Sequence, residues 1–300
     1  MRQSGRFLTY FMTVLMGILH VTTPSSYAND CPHPAGWVPD NLTELLFEHR
    51  LWATEILPPD GSDPRRLNLC HADLSGLDFS EVDLSDANLS QTRNVGSNFK
   101  GANLSGANFN GAYIKDSDFE AANLTRASFQ GGEISNSRFA YTTLTAARFQ
   151  GIKITGSDFT GSRLDKSKIW RSEFMDLNLQ NAALSQMDVL DSHFTALDFT
   201  GADLSQVNFI RTSLSQINFF FADLSRADFG TSSLVDVDFK DALLYLSILN
   251  RIDIGPERRD HINIFCQNLT SARDWQYSYR PAKFRCGAKI LPGKYSLDDK

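Results

Sequence analysis

Residues 101–114 read GANLSGANFNGAYI, in which a small residue, a polar residue and a large apolar residue recur every five positions. We call the position of the large apolar residue in each repeat the central position. Central positions follow one another every five residues from Leu69 to Ile254, and the 38 of them hold 16 Leu, 15 Phe, 5 Ile, one Val and one Asn. Two residues before each central position lies a small position, held mainly by Ala or Ser, and no residue of either set is charged. We interpret both sets as facing the interior of the fold.

A continuous helix or strand does not explain this spacing. Five residues rotate a helix by about 140° beyond a full turn, and an odd step in a strand reverses the side chain's face. Within one repeat, however, the small and central residues are two apart and point the same way in an extended segment. The other two residues must then turn the chain, which predicts a solenoid of stacked coils.

Repeats such as ADLSG at residues 72–76 and ADLSQ at residues 202–206 resemble the units of the pentapeptide-repeat family. The resemblance covers residues 67–254. It implies the family's all-β solenoid, a right-handed quadrilateral β-helix with one repeat per side and about 20 residues per coil. Residues 20 apart are therefore expected to lie above one another.

The N-terminal segment has the features of a signal peptide. Arg2 and Arg6 precede the largely apolar run 7–21, and residues 26–28 read SYA. We expect cleavage after Ala28, no membrane span afterwards, and export. Because the family is mostly bacterial, the periplasm or the medium is the expected destination. An uncleaved membrane anchor is the alternative. Removing two positive charges from a chain of net charge −6 leaves −8, which disfavours nucleic acid as a partner.

Both ends of the repeat region are expected to carry caps, at residues 29–66 and 255–300. Residues 41–44 read NLTE, a capping-box pattern that predicts the start of a helix. His49 and Trp52 follow three apart, which is similar to the leader helix often found before such repeats, so we interpret His49 as a packing residue. After the break at residues 255–260, the repeat returns in phase, and the solenoid either ends near 254 or continues to about 270.

Four cysteines in an exported chain favour disulfides. We expect Cys31 to pair with Cys70 and Cys266 with Cys286, within each end. The alternative is a metal site formed by Cys31, His33, Cys70 and His71, although their spacing matches no standard zinc pattern.

One central position is polar. Asn94 either bonds neighbouring backbone or marks a bulge that turns Val95 inward.

No phosphate-binding loop, nucleophile elbow or HExxH motif occurs, and the many Asp residues fall between two inward positions, where the repeat explains them. The chain is therefore not expected to be an enzyme, and no cofactor or metal is expected.

An interaction surface is predicted instead by departures from the polar surface pattern. Trp170, Leu190 and Ile210 are 20 apart and should form one apolar column. Phe220 and Phe221 are expected on a neighbouring corner. Residues 138–171 carry seven Lys or Arg against two Asp, and of these cations only Arg148 and Lys168 should stack.

These features predict a non-enzymatic, exported scaffold that binds an unidentified protein or a second copy of itself. Two alternatives stay open. The family resemblance implies that some cytoplasmic members mimic acidic DNA and bind a topoisomerase, a role that net charge suits but a signal peptide does not. The other is a metal-binding or enzymatic protein that uses the N-terminal Cys and His residues.

Overall fold

A computed structural model describes residues 31–54, 66–249 and 272–273, together with two short strands at 285–286 and 289–290. Residues 32–300 form one compact unit, and of the preceding unit, residues 1–31, only Cys31 is described. The predicted signal peptide and its cleavage site lie outside the described residues. Among the residues described, no helix combines the length and apolar character needed to cross a bilayer.

A single helix, α1 (Leu42–Thr54), is described before the repeats. It begins where the NLTE pattern predicts, and the carbonyl of Asn41 accepts hydrogen bonds from the backbone N–H groups of Glu44 and Leu45. The strands that follow are β1 (Arg93–Val95), β2 (Tyr113–Lys115), β3 (Glu133–Ser135), β4 (Arg148–Gln150), β5 (Lys153–Thr155), β6 (Lys168–Trp170), β7 (Glu173–Asn178), β8 (Asp188–Leu190), β9 (His193–Asp198), β10 (Asn208–Ile210), β11 (Ser213–Asn218), β12 (Ser233–Asp238), β13 (Arg285–Cys286) and β14 (Lys289–Ile290).

The strands of the repeat region form parallel sheets with a constant offset of 20 residues. One sheet has eight strands, in the order β1-β2-β3-β5-β7-β9-β11-β12, and another has four, in the order β10-β8-β6-β4. Isolated bridges continue the same offset where strands are too short to be assigned, as between Asn68 and Asn88. β13 and β14 pair antiparallel. The repeat region is thus the predicted parallel β-solenoid.

Four successive repeats make one coil. Parallel bridges join residues 68 and 88, 73 and 93, 78 and 98, and 83 and 103, so each repeat lies above the one four repeats earlier. We number the sides after the central residues of the first coil: Leu69 belongs to the first side, Leu74 to the second, Phe79 to the third and Leu84 to the fourth. The alternation of buried central and small positions with exposed residues between them is as predicted.

The corners explain the glycines of the opening stretch. The two residues that follow each central residue form a corner of the coil. The second of them has a positive φ throughout the described coils, and at Gly101, Gly106 and Gly111 this angle is 66°, 72° and 69°. Many corners also carry a hydrogen bond from the N–H three residues after the central residue to its carbonyl, as from Ala102 to Phe99 at 3.0 Å. A positive φ at the third residue of such a turn is typical of type II geometry, which glycine adopts without a steric penalty.

The interior is filled by stacks of large side chains. On the first side Phe109, Phe129 and Phe149 are at most 1% exposed, and their ring centroids are 5.2 and 5.3 Å apart. On the third side the rings of residues 79, 99, 119, 139 and 159 stack at 4.7–5.0 Å with interplanar angles of 15° or less. The five-residue spacing therefore does place its central residues in one dry interior.

Asn94 lies inside this interior rather than in a bulge. It is fully buried, and its strand keeps register, with Asn94 opposite Ile114 and Val95 opposite Lys115. Its amide nitrogen donates to the hydroxyl of Thr92 at 2.8 Å, a side chain rather than backbone, and Oδ1 has no hydrogen-bond partner. The bulge alternative is wrong, because the ladder continues without a break on both sides of Asn94. The Thr92 hydroxyl accepts one hydrogen bond from the amide nitrogen.

Replacing Asn94 with Leu is expected to stabilise the protein by about 1–2 kcal/mol. The substitution removes a buried acceptor without a partner and restores the apolar residue found at the other central positions. Urea unfolding of Asn94→Leu beside the parent measures the effect. A lower midpoint for the variant would mean that the Thr92 contact outweighs the unpaired oxygen.

Residues of α1 pack at the N-terminal edge of the solenoid. His49 is fully buried, and its Nδ1 accepts a hydrogen bond from the backbone N–H of Leu67 at 3.1 Å. Its ring stacks on Trp52 with centroids 5.0 Å apart. Burial lowers the pKa of His49, because desolvation disfavours the charged imidazole. Trp37 adds a parallel bridge to Ala72. His49 is thus a packing and hydrogen-bonding residue in the structure.

At the other end, the segment 272–273 pairs with the last described coil. Arg273 bridges Leu243 in parallel, its N–H donates to the carbonyl of Ala242, and Ala272 is buried. The offset is 30 residues, where a regular coil would need 20. The chain therefore rejoins the fourth side beyond residue 270. The alternative endings predicted for residues 255–270 fall outside the described residues.

Candidate interaction surface

The outward Asp and Asn residues are structural parts of the coils. Asp78 illustrates the pattern: its Oδ1 accepts from the backbone N–H of Ser80 at 3.0 Å and from the amide of Asn98, one coil on, at 2.8 Å. Hydrogen bonds from Ser80 are the main cause of the lowered pKa of Asp78. The same pattern recurs at Asp198, where burial alone would raise the pKa but hydrogen bonds from Thr200, among others, lower it overall. These carboxylates are thereby held ionised as turn acceptors.

The first side carries the predicted apolar column. In the parallel ladder Trp170 lies directly opposite Leu190, and Leu190 opposite Ile210. Trp170 is 39% exposed and Ile210 36%, whereas Leu190 between them is half-buried. The column continues downward to Gln150. Three large apolar side chains thus lie in line on the first side.

A second column runs beside it on the same side. Arg148 pairs with Lys168, Lys168 with Asp188, and Asp188 with Asn208. The first three side chains are exposed, and the amide of Asn208 donates to Asp188 at 2.8 Å. Because residues on either side of a central position both point outward, the charged and apolar columns share one face.

The corner next to the apolar column holds a third column, made of charged residues, that sequence reasoning did not single out. The guanidinium of Arg171 lies 4.9 Å from the Trp170 ring centroid. Arg211 donates two hydrogen bonds to Asp191, at 2.6 and 3.0 Å. These bonds are the largest cause of the lowered pKa of Asp191, to which Trp170 and Arg171 also contribute. The sequence did contain a signal for this column, because charges of alternating sign recur 20 residues apart at positions 171, 191 and 211.

Phe220 and Phe221 do not lie on a neighbouring corner. They follow Phe219, a central residue of the third side. Backbone hydrogen bonds connect this corner with the same corner of the neighbouring coils: the N–H of Gly201 donates to the carbonyl of Phe220, and the N–H of Phe221 donates to the carbonyl of Lys240. Trp170 follows a central residue of the first side, half a coil away, so the two sets occupy diagonally opposite corners. Phe221 is 52% exposed, and Tyr141, 63% exposed, lies in the same column. The two sets therefore form separate surfaces.

Phe220 is only partly exposed. Its ring lies 4.2 Å from that of Phe221, and the amine of Lys240 lies 5.4 Å from its centroid. It borders a shallow depression whose other lining residues are Gln216, Ile217, Asn218, Asp236, Asp238 and Lys240. No column of apolar side chains continues from Phe220, since Thr200 and Lys240 lie below and above it.

The remaining cations of residues 138–171 are spread around the coils, as expected. Arg138 contacts Glu120 at 2.7 Å on the third side, and Arg163 contacts Asp165 at 3.6 Å on the fourth. Of the seven cations, Arg148 and Lys168 alone are stacked in one ladder. The positive band is a belt and not a pocket.

The N-terminal Cys and His residues do not form the alternative metal site. Cys31 and Cys70 are each disulfide-bonded, so neither offers a thiolate. The His33 ring packs on Trp37 at 3.9 Å, and His71 hydrogen-bonds Gln91 at 2.8 Å. Within the described part of the chain, no group of three or more His, Cys, Asp or Glu side chains is arranged to hold a metal. The pairing of the four cysteines stays a prediction.

Comparisons with known proteins agree with this architecture. The family model described as pentapeptide repeat region matches residues 65–139 and 107–179, and the one described as pentapeptide repeats (8 copies) matches 172–211 and 212–251. Together the matches span more than half of the chain. The chain belongs to the pentapeptide-repeat family, whose members are generally structural or binding proteins rather than enzymes.

Several solved structures are similar to this chain. HetL, a pentapeptide repeat protein involved in heterocyst differentiation regulation in the cyanobacterium Nostoc, is 25% identical over 63% of this chain and 87% of its own, with a TM-score of 0.37. QnrB1, a plasmid-mediated fluoroquinolone resistance protein, is 12% identical over 63% and 84%, with a TM-score of 0.37. A pentapeptide repeat protein of the Arabidopsis thaliana thylakoid lumen is 31% identical over 36% and 69%, with a TM-score of 0.20. No curated protein matches the chain significantly.

Proposed function

We infer that this protein is an exported, non-enzymatic scaffold that uses the first side of its solenoid to bind a protein surface. The observation that carries the proposal is the column of Trp170, Leu190 and Ile210. Large apolar side chains at consecutive levels of a rigid ladder form a continuous patch, and such patches on otherwise polar proteins are often contact surfaces. The flanking charges supply a polar rim around this patch.

The surface is suited to binding because it needs no rearrangement. Its side chains project from strands whose backbone is paired to the coils above and below, so little backbone entropy is lost on association. The Trp170 ring lies 4.9 Å from the guanidinium of Arg171 and is 39% exposed. Aromatic residues and arginine are the types most enriched at interface hot spots.

Export is supported by the N-terminal sequence and by cysteine chemistry. The segment 1–28 has the three parts of a signal peptide. Cys31 and Cys70 are disulfide-bonded, which is typical of oxidising compartments. N-terminal sequencing of the protein from fractionated cells tests this part. A mature chain beginning at Asn29 in the envelope or medium is expected, and an intact Met1 in the cytoplasm would instead revive the DNA-mimic alternative.

The binding role is tested with a variant that removes the column. Trp170→Ser, Leu190→Ser and Ile210→Ser, combined in one chain, are expected to abolish association, because the replaced side chains are outward and supply the contact area. Association is measured in two ways, by sedimentation for self-association and by crosslinking capture in the envelope fraction.

A matched control removes exposed aromatic area elsewhere. Tyr141→Ser with Phe221→Ser alters the diagonally opposite corner and should leave both readouts unchanged. Equal association of the column variant and the parent in both assays would refute the proposed function.

A further inference from the structure

We propose that the first side docks against the first side of a second copy of this chain, with the two solenoids antiparallel. The inference rests on the proposed function, since it names the partner of the same apolar column. It is carried by the order of charges along the column of Arg148, Lys168 and Asp188, which lies beside the apolar one.

One charged column on this side changes sign halfway along it. In the column beside the apolar residues, Arg148 and Lys168 are followed by Asp188, all three exposed. In the corner column Arg171 is followed, one coil on, by Asp191, and Asp191 by Arg211, which donates two hydrogen bonds to it. A column that is basic at one end and acidic at the other suits neither a polyanion nor a polycation. It suits a partner whose charges run in the opposite order.

A second copy has that order when it is turned around. Consider a two-fold axis that is perpendicular to the solenoid and passes between the coil of Lys168 and the coil of Asp188. Such an axis places every column opposite its own counterpart and reverses the order of the coils. Lys168 then faces Asp188 of the second copy, and Asp188 faces its Lys168. In the corner column Arg171 likewise faces Asp191 of the second copy, whose carboxylate keeps its two hydrogen bonds from Arg211 of its own chain. The column of Lys168 and Asp188 therefore supplies the two main complementary charge pairs.

The same axis also matches the apolar column. Trp170 faces Leu190 of the second copy and Leu190 faces its Trp170, while Ile210 faces Gln150. The match extends over several coils because both copies repeat at the same strand spacing, about 4.8 Å. Trp170 and Leu190 are thus covered by apolar residues, and Lys168 and Asp188 by opposite charges.

Other symmetric arrangements lose this complementarity. An axis parallel to the solenoid and over the central residues of the side would place Lys168 opposite Trp170 and Asp188 opposite Leu190, which buries charges against apolar side chains. An antiparallel axis at the level of Asp188 would place Asp188 against Asp188 and Asp191 against Asp191. The antiparallel arrangement centred between Lys168 and Asp188 avoids both penalties.

Two charge-reversal variants of the full chain test this arrangement. In Lys168→Glu the new carboxylate would face Asp188 of the second copy, and in Asp188→Lys the new amine would face Lys168. The parent is expected to sediment as a dimer, and each variant alone is expected to raise the dimer dissociation constant at least about tenfold. An equimolar mixture of the two variants should form a heterodimer, because there each new charge meets an opposite one.

The mixture distinguishes a contact between copies from an effect within one chain. Lys168 and Asp188 are also ladder neighbours, so either reversal could disturb the fold, but mixing cannot repair a misfolded chain. Lys115→Glu is the control: it makes the same charge change on the second side, between Val95 and Ser135, and should leave the dimer intact.

Three results would overturn the inference: a monomeric parent, dimers unaffected by either reversal, or variants that fail to associate when mixed. A monomeric parent whose envelope crosslink disappears in the Trp170, Leu190 and Ile210 serine variant would refute only the second copy as partner. If neither self-association nor crosslinking capture differed between the parent and this serine variant, the proposed function would be refuted as well.

Discussion

Phe119→Ala is expected to lower the free energy of unfolding by about 3–5 kcal/mol. Phe119 is fully buried, and its ring stacks between Phe99 and Phe139 with both centroid distances 4.7 Å. It also meets Phe109 edge to face at 6.0 Å. Truncation would leave a cavity on the axis that the paired coils above and below cannot close. Urea unfolding followed by circular dichroism measures the loss.

Two further variants bracket this result. Phe119→Leu should cost much less, because Leu179 already occupies a central position of the same side and fully buried Leu residues are common in this core. Phe221→Ala changes an aromatic residue that is half exposed and should change stability by less than about 1 kcal/mol. A Phe119→Ala chain as stable as Phe221→Ala would show that the stacked rings do not form the core.

Ala122→Glu is expected to prevent folding. Ala122 is a fully buried small position whose N–H donates to Phe119 and whose carbonyl accepts from Thr143, so no backbone partner is left for a carboxylate. A buried, unpaired carboxylate must either remain charged at a cost of several kcal/mol or take up a proton with a raised pKa. The soluble yield and the far-ultraviolet circular dichroism of the variant report the outcome.

The matched control is Ala121→Glu, one residue earlier. Ala121 is an exposed corner residue with a φ of 58°, and Glu81 occupies the corresponding corner of the same side with a φ of 60°. The same charge is therefore expected to be tolerated there. Folding of Ala122→Glu with the unfolding midpoint of Ala121→Glu would disprove the interior placement of the small positions.

The in-and-out pattern was predictable because it depends only on the spacing within one repeat. Small and central residues two apart must share a face of an extended segment, and the structure buries Ala102 and Leu104 accordingly. The number of sides was not predictable in this way. Three, four or five repeats per coil would give the same alternation, and the 20-residue offset came from the family resemblance. Once that offset was assumed, the column of Trp170, Leu190 and Ile210 followed.

The sequence was less informative where the structure depends on particular side chains or on the chain's return from a break. The hydroxyl of Thr92 accepts a hydrogen bond from the amide of Asn94, and the periodicity of the sequence does not predict this side-chain contact. The bridge between Leu243 and Arg273 has an offset of 30 residues, which a regular 20-residue period does not predict. Phe220 and Phe221 were misplaced for a simpler reason: ten residues is half a coil, which separates opposite corners rather than adjacent ones.

The parallel ladders have a mechanical consequence. Their interstrand hydrogen bonds run along the axis of the solenoid, so tension applied between its two ends would load successive coils in series. Such a load detaches the outermost coil first, and each detachment releases about 20 residues, or roughly 65 Å of extended chain. Under tension along its axis, the solenoid would therefore lengthen in equal steps, one coil at a time.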